Sequence, residues 1–409
     1  MTSAPACLGC GAPLHRTVLD LGLSPLANAF VPPERTEPDA LYPLHARLCD
    51  RCLLMQVEAV VAPTEIFSDY AYFSSYSNSW LAHCRAYADM AIRRFALSAT
   101  SHVVEVASND GYLLTNFVAA GIPCLGIEPA VNVAAAARGR GVPTEVAFFG
   151  RATATRLAAA GHRADLLAAK NVLAHVPDID DFVAGIEILL KPDGAFTVEF
   201  PHVLNLIREA QFDTIYHEHF TYLSLTALER IFQRHRLRVF DVEETQTHGG
   251  SLRVFVCKNE ARHSEAPGVS RMRAKEADAK LDRPEGYAGL AGKAEAVQRG
   301  LIAFLDTARA QGRTVAAYGA AAKGNTLLNS CGIGRDRIAF VADRSPAKQG
   351  RLLPGSRIPV RPPQALFDEK PDYVLVLPWN LMGEISAQLA DIRVWGGRFV
   401  TAIPEIRVS

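Results

Sequence analysis

Residues 102–121 read HVVEVASNDGYLLTNFVAAG, and residues 124–130, CLGIEPA, follow almost at once. An apolar run, VVEV, gives way to the polar loop SNDG, and an apolar-periodic stretch then closes on a glycine. That order is strand, loop, helix, with CLGIEPA as the next strand. Outward from it the alternation continues. ADLLAAKN (164–171) and GAFTVEFP (194–201) read as strands around the helical VPDIDDFVAGIEILLKP (176–192). Short strands alternating with helices of ten or more residues predict a doubly wound parallel sheet. HGGSLRVFVCKN (248–259) is expected to add a late antiparallel strand.

A second alternation begins further on. RTVAAYGAAAKGNTLLNSCG (313–332) reads strand, loop, helix; RIAFVADRSPAKQG (337–350) and PDYVLVLPW (371–379) add strands. Residues 262–311 between them are charged or small and run helically, a connector with little chemistry. The expected fold class is therefore α/β. A small N-terminal unit (1–68) precedes a central Rossmann-like domain (69–261) and a second Rossmann-like α/β domain (262–409). No repeat of solenoid period is visible.

At 409 residues the chain is too long for one ordinary core. It is 49% hydrophobic and 21% charged, as globular proteins are. Its 43 basic and 43 acidic residues cancel, which offers nothing to a nucleic-acid channel or an anionic membrane surface. No stretch approaches the roughly 20 apolar residues of a membrane span, and the N-terminus lacks an export pattern, so a cytoplasmic protein is expected.

Four of eight cysteines form two pairs, CLGC (Cys7, Cys10) and CDRC (Cys49, Cys52), 38 residues apart. Each pair can form a knuckle aiming two sulfurs inward, and four thiolates fill a zinc tetrahedron. With no open position, such a metal does no chemistry; it folds a turn-rich, proline-rich segment that lacks a core. His15 and His45 lie nearby and are not required as ligands.

The loop after the first central strand lies where parallel sheets bind ligands. It offers Glu105, Ser108, Asn109, Asp110 and a single glycine, Gly111. A dinucleotide needs G-x-G-x-x-G, and acidic side chains repel a diphosphate. The same geometry suits an adenosyl sulfonium. Glu128, 23 positions after Glu105 at the next strand end, can accept from a ribose diol. Asn171 and His175, in KNVLAHVPD, follow another strand on the same edge.

The densest polar stretch is DTIYHEHFTYLS, residues 213–224. It is not H-E-x-x-H: on a helix His217 and His219 would stand about 200° apart and could not share a metal. On a strand both could face one metal, but no third ligand lies at close spacing; the stronger readings are a polar loop with tyrosines at a core edge, or a histidine base with tyrosine donors for an oxyanion. In the last domain, Lys323 with Asn325 and Asn329 offers a contact for a phosphate-bearing ligand. GAAAKG lacks both Walker and dinucleotide spacing.

Taken together, the four-cysteine unit and EVASNDGYLL, GIEPA, KNVLAHVPD, YHEHFTYLS, THGGSLRVFV and YGAAAKGNTLLN resemble one family over almost the whole chain. These are the S-adenosylmethionine-dependent sugar C-methyltransferases of deoxysugar biosynthesis in antibiotic pathways, among them the dTDP-sugar C3-methylating type of the tetronitrose pathway. The resemblance implies a central methyltransferase domain that binds S-adenosylmethionine through residues 105–111 and Glu128. It implies a dTDP-linked 4-keto-deoxysugar clasped by the outer domains, and a structural zinc. His219 resembles the family's base, with His175, Glu218 and Tyr216 as close partners. Tyr76, from the aromatic segment FSDYAYFSSYSNSW (67–80), resembles a tyrosine that reaches the sugar. The implied reaction is methylation at C3, with C5 as the closest alternative and a nicotinamide-dependent oxidoreductase or epimerase as a more distant one. The implied enzyme is a monomer without nucleic-acid or membrane partners.

Overall fold

The computed structural model describes residues 4–61 and 78–409. Three sheets organise it. In the N-terminal sheet, β1 (Arg16–Ser24) pairs antiparallel with β2 (Tyr42–Leu48), and β2 with the short β3 (Met55–Gln56). The nine-residue β1 was not evident in a segment read as turns. Register shifts at Thr17/Leu19 and Asp20/Leu23 break its in–out alternation, which is the signal a strand is recognised by.

The central sheet joins β4 (Val103–Val106), β5 (Cys124–Ile127), β6 (Thr144–Glu145), β7 (Ala164–Lys170), β8 (Leu190–Pro201), β10 (Leu237–Thr245) and β11 (Ser251–Lys258). Their order is β10-β11-β8-β7-β4-β5-β6. All pairings are parallel except those of β11, which slots antiparallel between β8 and β10 as expected. Every residue of β4 is buried, as both faces carry helices. Chain direction reverses its march across the sheet between β4 and β7, so their carboxyl ends frame the crevice where such sheets bind ligands.

Helices start where local chemistry directs. Asp178 accepts from Asp181 N at 2.9 Å to cap helix Ile179–Leu189, and Ser224 caps Leu225–Gln233 from Ala227 N at 3.0 Å. The third sheet is β14 (Val360–Arg361), β13 (Val341–Ala342), β12 (Val315–Tyr318), β15 (Tyr373–Val376), β16 (Arg398–Thr401) and β17 (Arg407–Val408), parallel but for β17. The fold is thus α/β with two Rossmann-like sheets and an N-terminal cysteine unit, as the sequence predicts.

The link is helical, Pro267–Asp278 and Leu290–Ala310. One of its residues does more than connect. Glu276 is wholly buried; it accepts from His202 Nε2 at 2.8 Å, and from Leu225 N and Thr226 N at the start of helix Leu225–Gln233. Among the described residues no helix is long and apolar enough to cross a membrane.

Candidate active site

The histidine stretch is stitched between units. β9 (Thr221–Tyr222) pairs with β3 and so completes the N-terminal sheet. Phe220 N donates to Ala174 O at 2.7 Å, which brings the stretch against the turn Leu173–His175 that follows β7. The imidazoles of His175 and His219 meet there with ring centroids 4.7 Å apart.

Both rings have a set tautomer. His175 Nδ1 lies 2.7 Å from Glu218 O, and His219 Nδ1 lies 2.9 Å from Thr214 O. A carbonyl only accepts, so each Nδ1 carries the proton and each Nε2 keeps its lone pair. Tyr216 OH donates to His219 Nε2 at 2.7 Å. Burial, with His175 next in weight, holds His219 well below the usual imidazole range; burial pulls His175 down to about 4. Both are neutral bases at pH 7.

One neighbour differs from expectation. The Glu218 carboxylate turns away from His219 to accept from Asn28 Nδ2 at 3.2 Å; it is the Glu218 backbone carbonyl that orients His175. His217 faces the N-terminal unit, donating to Pro43 O at 3.2 Å, so the two histidines of H-E-H do not converge. Tyr76 lies outside the described residues.

The loop after β4 is tightly wound. Ala107, Asn109 and Gly111 take positive φ, and a Cβ on Gly111 would stand 2.9 Å from Val142. A Cβ on Gly126 would meet Ser108 Oγ at 2.3 Å, so glycine there lets the loop lie against β5. Glu128 receives Asn109 N at 3.0 Å and Ala130 N at 2.9 Å, one on each oxygen, leaving a lone pair on each. Asp110 pairs with Arg140 at 3.0 Å and so braces the loop. Glu105 is fully buried beneath it, and burial raises its carboxyl well above the usual range. At the end of β7, Asn171 has a positive φ, and its buried Oδ1 has no hydrogen-bond partner among the described residues. That orphaned acceptor, on the same sheet edge as Glu128 and a loop unsuited to diphosphate, fits an adenosyl ligand with an ammonium tail.

The four cysteine sulfurs lie within 4.8 Å of one another, with Cys7–Cys52 and Cys10–Cys49 each at 3.5 Å. Zinc–sulfur bonds of about 2.3 Å set tetrahedral sulfurs about 3.8 Å apart, so the cluster fits. Gln56 Nε2 and Gly9 N donate to Cys7 Sγ at 3.2 and 3.3 Å, bonds that favour a thiolate. The site is closed and far in function from the histidines. Cys49→Ser is expected to release zinc to a colorimetric chelator and lower the melting temperature of the N-terminal unit; a zinc-free variant with unchanged melting would contradict this.

Over 403 residues the chain is 38% identical to C-methyltransferase NovU of Streptomyces niveus, covering 98% of this chain and 96% of NovU. The chain belongs to the C-methyltransferase family. Residues 246–404 match the family described as C-methyltransferase C-terminal domain, 80–242 a methyltransferase domain and 7–67 a zinc binding domain. Among solved structures, the S-adenosylmethionine-bound magnesium protoporphyrin IX methyltransferase of Synechocystis PCC 6803 is similar at 12% identity and TM-score 0.37, covering 49% of this chain and all (100%) of that one. An S-adenosylmethionine-dependent methyltransferase of Clostridium acetobutylicum ATCC 824 is similar at 9% identity and TM-score 0.34, covering 42% of this chain and 90% of that one.

This C-methyltransferase also carries polar residues that sequence reasoning passed over. Glu199 of β8 accepts from Lys170 Nζ, from Arg253 Nε at 2.6 Å and from His83 Nε2 at 2.8 Å. Trp80 stacks on His83 at 5.2 Å and meets His248 edge-on at 5.6 Å. His248 sits in the turn Thr247–Gly249 with φ 53°. In the last domain, Lys323 Nζ donates to Asn380 Oδ1 at 2.8 Å and lies 4.6 Å from the Trp379 ring centre. Trp379 Nε1 in turn donates to Asp213 Oδ2 at 2.7 Å. Asn325 and Asn329 spend their amides on backbone carbonyls, of Ala27 at 2.5 Å and of Pro354 at 3.1 Å. Asn325 ties helix Ala322–Ser330 to the N-terminal segment, and Asn329 ties it to a loop of its own unit.

Proposed function

We propose that this enzyme moves the methyl of S-adenosylmethionine to C3 of a dTDP-linked 4-keto-deoxysugar, with His219 as the base that forms an enolate. The observation that carries this reading is the tautomer of the histidine pair: both Nδ1 atoms are tied to carbonyls, so the basic nitrogen of each neutral ring is Nε2, and that of His219 faces the Tyr216 hydroxyl. The name of NovU, a C-methyltransferase, supports transfer to carbon. A carbon beside a ketone becomes a nucleophile only after losing a proton, which O- and N-methylation do not need. His219 Nε2 takes that proton; Tyr216 and His175 hold and orient it.

S-adenosylmethionine supplies an electrophilic methyl. Glu128 would hold its ribose diol, Asn171 Oδ1 its ammonium, and residues Ser108 to Gly111 its tail, with Glu105 and Asp110 supporting the loop from below. Lys323 and Tyr76 would face the sugar. In this reading the units 1–68, 69–261 and 262–409 each contribute, in a monomeric cytoplasmic enzyme.

Incubation with candidate dTDP-keto sugars in deuterated water, without methyl donor, tests the reading. Label is expected at C3; label at C5 would move the methylated position, and none would remove the enolate. Equilibrium dialysis is expected to favour S-adenosylmethionine over NADH, and the reverse would make the enzyme an oxidoreductase. The pH profile is a further check. His175 titrates at about 4 and His219 well below the ordinary 6.5, and the base works unprotonated. The base itself is therefore expected to give kcat/KM no acid limb near 6.5, where an ordinary imidazole charges; a limb there that survives replacement of Asp213, whose own carboxyl is raised to about 6, would contradict it.

A further inference from the structure

We propose that Lys323 is a catalytic residue whose ammonium holds the enolate oxygen, and that Asp213 is the positioning residue that keeps it there. This rests on the enolate reading above and replaces the expectation that Lys323 meets a diphosphate.

The argument begins with where the last domain touches the histidine stretch. Helix Ala322–Ser330 packs on the turn Phe212–Thr214, and Thr326 Oγ1 donates to Ile215 O at 3.2 Å. That turn carries both Asp213 and Thr214, and Thr214 O is the carbonyl that fixes the His219 tautomer. The helix that carries the lysine and the imidazole of the base therefore both rest on the same turn. Trp379 bridges Lys323 and Asp213, its ring under the Lys323 ammonium and its N–H on Asp213 Oδ2.

Charge points the same way. Asp213 is fully buried, and its Oδ1 has no hydrogen-bond partner among the described residues. A buried carboxylate so placed is costly unless a cation faces it. Burial raises Asp213 to about 6, and Lys323 is the first group to counter that rise. The Lys323 charge also depresses both His219 and His248, so it lies within electrostatic reach of those rings. After burial, the side chains that act on His219 are His175, His248 and Lys323, all on the cationic side. Such a site awaits a negative charge.

An enolate supplies it. His219 Nε2 takes the proton from the sugar carbon, the C–H electron pair becomes the new C=C bond, and the carbonyl pair moves onto oxygen. The ammonium meets that oxygen as its charge appears. The C=C pair then attacks the methyl, the S–CH3 bond breaks, and its electrons stay on sulfur to leave the neutral thioether. The carbonyl reforms, and the proton on His219 passes to solvent. A cation on an aromatic face, already held by one amide oxygen, suits a single oxygen better than a hydrated diphosphate with several.

Lys323→Met tests this in two assays on the full-length enzyme. In deuterated water with S-adenosylhomocysteine and the keto sugar, wash-in at the acidic carbon is expected to fall about 10²–10³-fold. Methyl-transfer kcat should fall in parallel, while KM for the nucleotide sugar changes less than about threefold. Lys323→Gln, which keeps a donor near Asn380 without charge, should show the same loss and guards against misfolding of the first variant. Retained binding of S-adenosylmethionine shows that each variant is folded. Unchanged wash-in with KM raised tenfold would make Lys323 a diphosphate anchor and overturn the proposal; unchanged wash-in and KM would overturn it as well. No wash-in by the unsubstituted enzyme would overturn the enolate reading itself, and this proposal with it.

Discussion

Replacing His219 by Asn is expected to lower turnover about 10²–10⁴-fold while S-adenosylmethionine binds within a few-fold of the parent. Asparagine keeps much of the shape and can still donate to Thr214 O, which His219 Nδ1 now faces at 2.9 Å. What it lacks is a basic lone pair where Nε2 meets Tyr216 OH. The loss should therefore fall on the chemical step alone. The residues that would hold the methyl donor lie on the loop after β4, at the end of β5 and at the end of β7, on separate elements from residues 213–224. Isothermal titration with S-adenosylmethionine separates the two quantities. His175→Asn gives the internal comparison, since its ring is oriented by the same device 4.7 Å away. If His219→Asn keeps full turnover and His175→Asn loses it, the roles of the two histidines are exchanged. If neither variant loses turnover, the base is some other group.

Much of this arrangement was legible in the sequence because it is local. SNDG sits in a loop after a strand wherever the chain folds, and CxxC knuckles need only their own turn. The register of apolar residues in β4, β7 and β8 announces a sheet buried on both faces. Residues 213–224 stand out in the sequence as a candidate site, yet their contacts do not. The sequence does not reveal that Glu218 works through its carbonyl, because any residue has one. It does not reveal that His217 points to Pro43, because β9 belongs to the N-terminal sheet although it lies over 160 residues from β3. Asp213 opened the quoted stretch and was given no role; its partner Trp379 is 166 positions away. The same holds for Asn325 and Asn329, whose amides answer to carbonyls brought in by folding. Where a side chain's partner is set by tertiary contact, residue type alone carries no signal.

The cluster around Glu199 is the extreme case, and Glu199→Gln is expected to cause the largest loss of stability. Glu199 is 1% exposed and is shared by Lys170, Arg253 and His83, drawn from three other elements. Burial alone would raise its carboxyl, but Lys170, His83 and Arg253 outweigh burial and hold it below the usual carboxylate range. Glutamine fits the space and removes the charge, leaving the Lys170 ammonium at 2% exposure with no carboxylate on it. Removing one partner of a buried ionic group costs about 3–5 kcal/mol, since the desolvated charge that remains is uncompensated. For a domain of this size that is a fall in melting temperature of roughly 6–20 °C. Calorimetry should place the loss in the transition of the central sheet. Replacing all three of Glu199, Lys170 and Arg253 by apolar residues should recover much of it, because the cluster's cost lies in unpaired charge rather than in lost attraction. The sign of the pH dependence follows from the depressed carboxyl. The folded state holds Glu199 ionised where the unfolded chain has begun to protonate it, so its contribution is full above the unfolded value of 4.5 and is lost as pH falls toward the lower folded value. Glu199→Gln should therefore narrow the gap between parent and variant as the buffer is taken from pH 6 to below 4. A gap that stays constant over that range would show that the carboxylate charge is not what holds helix Asn78–Arg94, through His83, to the edge of the sheet.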